Sequence, residues 1–290
     1  MVTDLMHRLG KGFLILLLLS VNGCSYFLNS ATESFAENLK HAVLKQNDPQ
    51  IVTEALPAYL LLQESLLIKD PENEALLMST ATLYASYITL TDHLAPKRHQ
   101  KLSQKAFELA LNAACVHKQD FCALNTKKFE QFTPVIEQAS VNDIDTLYSL
   151  GSRWVNWIQA NPTDWNAIAQ LAQVKHIMKW VISIKDDYKN GEPYLYSAVL
   201  ESLVPPALGG KPDLAKANFE KALVLSNNKN LMVHVLYAKY YARMMFDREL
   251  HDRLLNTVIN TDAEQDNLTL NNTLAKQMAE TLLQSADEYF

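Results

Sequence analysis

The densest group of ionisable side chains in this 290-residue chain is Arg243, Asp247, Arg248, His251, Asp252 and Arg253. Helical spacing would put Arg243, Asp247 and His251 on one face, and Arg248 with Asp252 at i, i+4. A histidine beside a carboxylate suits general acid–base work. Neither a nucleophile nor a metal triad accompanies it at a recognisable spacing. The residues favour an ion-pair network that fixes the last helices. The alternative is an anion or partner contact made by Arg243, Asp247, Arg248, His251 and Arg253. No catalytic residue, metal site or cofactor is expected, and the chain does not read as an enzyme.

The four tryptophans offer a different chemistry. Trp154 and Trp157, at i, i+3, share a helix face, and Trp165 opens the next helix. Trp154 reads as core. Trp157, Gln159 and Trp165, with Asn166 beside it, are candidates for a cavity wall, since aromatic rings with an amide suit an apolar ligand bearing a polar end. Core packing is the competing reading. The three cysteines divide in two. Cys115 and Cys122 flank a polar stretch and fit a disulfide across a helix–helix corner. A zinc pair is the rival, with only His117 beside the two thiols.

Cys24 belongs to an address. Arg8 and Lys11 precede the apolar run Phe13–Leu19, too short to cross a bilayer as a helix and shaped like the core of a secretory signal. Leu19-Ser20-Val21-Asn22-Gly23-Cys24 resembles a bacterial lipobox, which makes residues 1–23 a signal peptide and Cys24 the lipidated first residue of a short tether, 24–31. Ser25 after the cysteine points to the outer membrane, with the chain facing the periplasm. The net charge of −6 carries no basic block, so no nucleic-acid partner is expected. Only 7 glycines argue against a turn-rich β fold and against a phosphate loop.

Apolar residues recur at helical spacing almost throughout. Helices are expected over 32–46, from Asp48-Pro49 to Lys69 with a kink at Pro57, over 73–91, 96–117, 126–139 with a break at Pro134, 143–160, 164–187, 193–203, 212–226, 230–245, 247–260 and 268–287. The expected architecture is all-α, one domain over 32–290, built of stacked helical hairpins. Partial tetratricopeptide figures support it. Leu147, Leu150, Gly151 and Trp154 match the first half of that repeat. Ala215, Phe219 and Ala222 match the second, as do Ser103, Phe107 and Ala110. Leu77, Ala81 and Tyr84 follow Pro71 in register, and His234, Tyr237, Ala238 and Tyr241 repeat the pattern more weakly. The logic is steric: a small residue on one helix admits the next, and large residues fill the groove between.

Several longer words carry a resemblance. They include Leu56-Pro57-Ala58-Tyr59-Leu60, the stretch from Leu147 to Ala160, Asp164-Trp165-Asn166-Ala167, Pro205-Pro206-Ala207-Leu208-Gly209-Gly210-Lys211-Pro212, and Phe246-Asp247-Arg248-Glu249-Leu250-His251-Asp252-Arg253. Together they resemble the T-component lipoproteins of TRAP (tripartite ATP-independent periplasmic) transporters, from about residue 32 to the C-terminus. The resemblance implies an all-helical lipoprotein with cryptic tetratricopeptide-like repeats. It implies self-association as a homotrimer, a pore-like cavity for a small hydrophobic ligand, and a partner in the periplasmic solute-binding P subunit. A lipoprotein scaffold for envelope assembly, without ligand or transport role, is the alternative.

Overall fold

The computed structural model describes residues 38, 41–91, 95–204, 206–208 and 210–290. The signal segment, Cys24, the tether and most of the helix expected over 32–46 lie outside these residues, as do Pro205 and Gly209. Among the described residues every regular element is a helix, so the protein is all-α.

The main helices are α1 (Pro49–Lys69), α2 (Glu74–Leu90), α3 (Pro96–His117), α4 (Phe129–Glu137), α5 (Ile144–Ala160), α6 (Leu171–Ile184), α7 (Glu192–Ser202), α8 (Pro212–Leu225), α9 (Leu231–Leu236), α10 (Arg248–Asn260) and α11 (Thr269–Gln284). Their starts are written in short polar side chains. Asp48 accepts from the Gln50 N–H at 3.0 Å, Asn73 from Leu76 at 3.0 Å and Asp247 from Leu250 at 2.9 Å. Each satisfies an amide that the first helical turn leaves without an intrahelical partner.

Neighbouring helices pack as antiparallel pairs: α1 on α2, α2 on α3, α5 on α6, α7 on α8, α10 on α11. Further contacts of α3 with α5 and of α6 with α7 join these pairs into one stack. The repeat positions named from sequence are the ones buried between helices. Leu147, Leu150, Trp154, Ala215, Phe219 and Ser103 are each fully buried. Gly151 carries the steric logic most directly, because a Cβ there would lie 2.9 Å from both Ile177 Cγ2 and Met178 Cε of α6. Only a residue without a side chain lets α6 approach this closely.

Some helix boundaries differ from expectation. Pro57 and Pro134 lie inside α1 and α4 without ending either helix. In α1 the buried stripe Val52, Leu56 and Leu60 outweighs the one backbone bond that a proline removes. The helix expected over 164–187 is interrupted, giving a single turn, Trp165–Ile168, and then α6. The interruption brings Gln170 to accept from the buried Trp154 indole N–H at 2.8 Å, a bond that a buried donor requires. The helix expected over 230–245 runs as α9 into a π turn, Tyr237–Ala242. At the next corner Phe246 takes φ 56° before α10 begins.

The core falls into three parts. One fills α2 to α6 around Phe107, Phe132 and Trp154, and a second fills α7 to α11 around Phe219, Tyr237 and Leu255. The third is small: Val52, Leu56 and Leu60 of α1, Tyr87 of α2, and Leu270 of α11. This last cluster closes the stack on itself, since it sets the last long helix against the first. His41 with Asn267, at 3.0 Å, reinforces the same seam.

Candidate functional site

The curved stack surrounds a cavity of about 470 Å³ that is open to solvent. Its wall takes one or two turns from each of α2, α5, α7, α9 and α11, so the curvature of the stack forms it. Much of the lining is aliphatic, including Leu90, Val155, Leu195, Leu236, Leu274 and Met278. A second cavity shares Thr89, Leu90, Leu274 and Met278 with the first and continues to Lys239, Gln277 and Thr281. The apolar path therefore has an outlet beside Lys239.

Polar groups interrupt this wall on three sides, with Thr82 and Ser86 of α2, Asn156 and Gln159 of α5, and Asn267 and Asn271 at the start of α11. Gln159 of α5 donates to the Tyr240 hydroxyl at 2.9 Å, tying α5 to the π turn. Arg153 and Glu192 face the same space. The Arg153 guanidinium donates to Ser152 Oγ and to Thr82 Oγ1, each at 2.9 Å, and its Nε–H is buried with no acceptor among the described residues. Glu192 accepts from the Tyr148 hydroxyl. Burial, and then the negative charge of Glu192, push the Tyr148 phenol well above its ordinary pKa. Burial raises Tyr196 as well, against the pull of Arg153. Both phenols therefore stay neutral, and that of Tyr148 serves as a hydrogen-bond donor to Glu192 rather than as an acid.

The residues singled out from sequence are dispersed by the fold. Gln159 lines the cavity. Trp157 does not; its ring stacks on Phe107 at 5.2 Å. Trp165 is 81% exposed on its single turn, with Asn166 also exposed beside it. The aromatic cavity wall expected of Trp157 and Trp165 is thus replaced by aliphatic side chains, because the break after Ile168 turns Trp165 outward.

The charged group near residue 250 is divided by a helix corner rather than carried on one face. Arg243 precedes the corner, donating to the Leu282 carbonyl at 3.1 Å and to Ser285 Oγ at 2.8 Å, and lies 4.6 Å over the Tyr289 ring. It closes the C-terminal end of α11. Asp247 is the N-cap of α10. Arg248 pairs with Asp252 at 3.5 Å and with Asp287, and Arg253 pairs with Glu249 at 3.6 Å. His251 is wholly buried, with Nδ1 2.8 Å from Asp252 and its ring 5.1 Å from Phe290. These contacts hold the last three helices together. Among the described residues no three His, Cys, Asp or Glu side chains are grouped to hold a metal.

Cys115 and Cys122 are joined by a disulfide at the end of α3. Beside it His117 stands between two carboxylates, Nδ1 to Glu74 at 2.8 Å and Nε2 to Asp143 at 2.9 Å. Asp143 also accepts from the Ser140 backbone N–H at 2.7 Å. Burial raises its pKa, but Ser140, His117 and Lys118 together outweigh burial and leave it low.

Sequence reading assigned no role to Arg153 or Glu192. The signal for Arg153 was present, since it is the one basic residue in α5 and stands between Ser152 and Trp154 on an otherwise apolar turn. No curated protein matches the chain in a sequence search. The model of one family, the TRAP transporter T-component, matches residues 45–290, and the chain belongs to that family.

Proposed function

We propose that this T-component is a non-enzymatic accessory lipoprotein that docks the periplasmic solute-binding P subunit and holds a small, largely apolar ligand in its central cavity. The observation that carries the reading is the cavity of about 470 Å³, lined in large part by aliphatic side chains and continuous with a second one. A space of that size and lining is suited to a drug-sized apolar molecule. Stacked helical hairpins also offer long, rigid surfaces for a protein partner. Lipidated Cys24 tethers the chain to the outer membrane, facing the periplasm.

Self-association as a trimer belongs to the same reading. On α1 Ile51, Leu61, Leu62 and Ile68 are each more than half exposed, on the side opposite Val52, Leu56 and Leu60. An apolar stripe of this kind favours burial against another protein surface. α1 is also long and apolar enough to cross a membrane by composition, yet its other face is packed into the third core cluster.

The experiment is a pull-down from periplasmic extract with the soluble form begun after Cys24, followed by native mass spectrometry of proteins and small molecules. A trimer that carries an apolar molecule and captures the P subunit supports the proposal. An empty protein that captures other envelope proteins and no P subunit supports the scaffold instead. Globomycin treatment of the full chain tests the anchor, with accumulation of unprocessed precursor as the expected result.

A further inference from the structure

The cavity is lined by one cation, Arg153, and one anion, Glu192, and no ion pair joins them. No carboxylate lies within salt-bridge distance of Arg153 among the described residues, and its Nε–H is buried and unused. The buried Nε–H without an acceptor costs free energy, while the rest of the guanidinium, held by two hydroxyls, borders the cavity. Its planar set of donors is complementary to a carboxylate, which can accept two of them at once. From this, and resting on the reading that the cavity is a ligand site, we infer that the ligand is an amphiphilic monocarboxylate whose head group seats on Arg153 and whose tail runs along Leu90, Leu274 and Met278.

The wall charges favour a singly over a doubly charged head group. Glu192 faces the same space, and its carboxylate is already engaged by Tyr148. Arg153 and Glu192 together carry no net charge, so a dianionic phosphate would meet one cation and one opposing anion. A carboxylate leaves the pocket with a single net charge, next to the neutral phenols of Tyr148 and Tyr196. The tail direction follows from the continuous aliphatic path between the two cavities. Lys239 marks the outlet, where its ammonium lies 5.6 Å over the Tyr240 ring.

The test is displacement of the neutral fluorophore N-phenyl-1-naphthylamine from the full chain by dodecanoate and by dodecan-1-ol. Wild type should bind dodecanoate about ten- to a hundredfold more tightly than the alcohol, the range expected of a charge-assisted contact. Arg153→Gln should lose that preference, with an unchanged far-UV circular dichroism spectrum and urea midpoint showing that the variant is folded. Arg153→Lys should keep part of the preference, and Lys239→Gln should keep all of it. Equal binding of acid and alcohol to wild type overturns the inference and leaves the cavity reading standing. So does a preference lost in Lys239→Gln but kept in Arg153→Gln. Failure of the fluorophore and both amphiphiles to bind overturns the two together.

Discussion

Replacing Gly151 by alanine sets two effects of opposite sign against each other. At an exposed helix interior the change would stabilise by about 1 kcal/mol, since alanine removes the backbone-entropy cost of glycine. At Gly151 the new Cβ would stand 2.9 Å from Ile177 Cγ2 and Met178 Cε. Met178 Cε can swing aside, but Ile177 Cγ2 moves only by rotation about χ1, and the Ile177 side chain is fully buried. Overpacking of a filled core costs about 1–3 kcal/mol. The expected net loss is therefore about 1 kcal/mol, or roughly 2–4 °C in Tm for a chain of this size. Urea unfolding followed by circular dichroism measures it. Ala172→Gly, at an exposed position of α6, gives the propensity contribution alone. The pair Gly151→Ala and Ile177→Ala should be less damaging than the sum of its parts, because each relieves the other. If Gly151→Ala stabilises by about 1 kcal/mol, α5 and α6 do not approach as described, and the repeat logic fails with them.

His234 predicts the acid limb of stability. Burial lowers its pKa, and neither ring nitrogen has a partner among the described residues. The folded chain keeps it neutral while the unfolded chain protonates it near pH 6.5. Stability should be fully present above that pH and fall below it, by at most about 1.4 kcal/mol per pH unit for one proton; His234→Leu should flatten the slope of urea midpoints measured from pH 8 to 5. His176, also lowered by burial, adds to the same limb. Opening the Cys115–Cys122 bridge, which closes a loop with a sequence separation of 7, should cost about 2.5 kcal/mol on loop-closure entropy; a double serine variant should match the reduced wild type in urea. Trp165→Ala should leave stability within about 0.5 kcal/mol, because the ring is 81% exposed; a melting shift above 3 °C would mean the indole is packed.

Local signals were legible in the sequence, and long-range ones were not. Asp48 and the Asp70–Asn73 stop were readable as helix boundaries because capping depends on neighbours in the chain. The small residues Gly151, Ala215 and Ala222 were readable because close helix approach demands them wherever it occurs. Arg243 was not. Its partners are the Leu282 carbonyl and Ser285, about forty residues away, so its spacing from Asp247 and His251 suggested a shared face that the corner at Phe246 removes. Asn272 went unnoticed for the same reason. Its amide oxygen accepts from the Leu231 N–H and its nitrogen donates to the Lys229 carbonyl, pinning α11 to the start of α9. Trp157 and Trp165 misled because aromatic type predicts burial, and only the break after Ile168 decides which side of the stack each ring meets.

The cavity itself lies furthest from local signals, and the reason is structural. A stack of hairpins in which each contacts only its neighbours is an open spiral, and its concave face belongs to solvent. Here the spiral closes into a ring because α11 meets α1, and that meeting rests on a few side chains: Leu270 against Val52, Leu56, Leu60 and Tyr87, with His41 on Asn267. The two larger cores are each continuous within one half of the stack and need no such closure. The seam is therefore the part of the fold with least buried apolar contact, and local opening concentrates where contact is least. Since Leu44, Asn267, Leu268 and Leu270 line the cavity at that same seam, opening of the seam would widen the cavity.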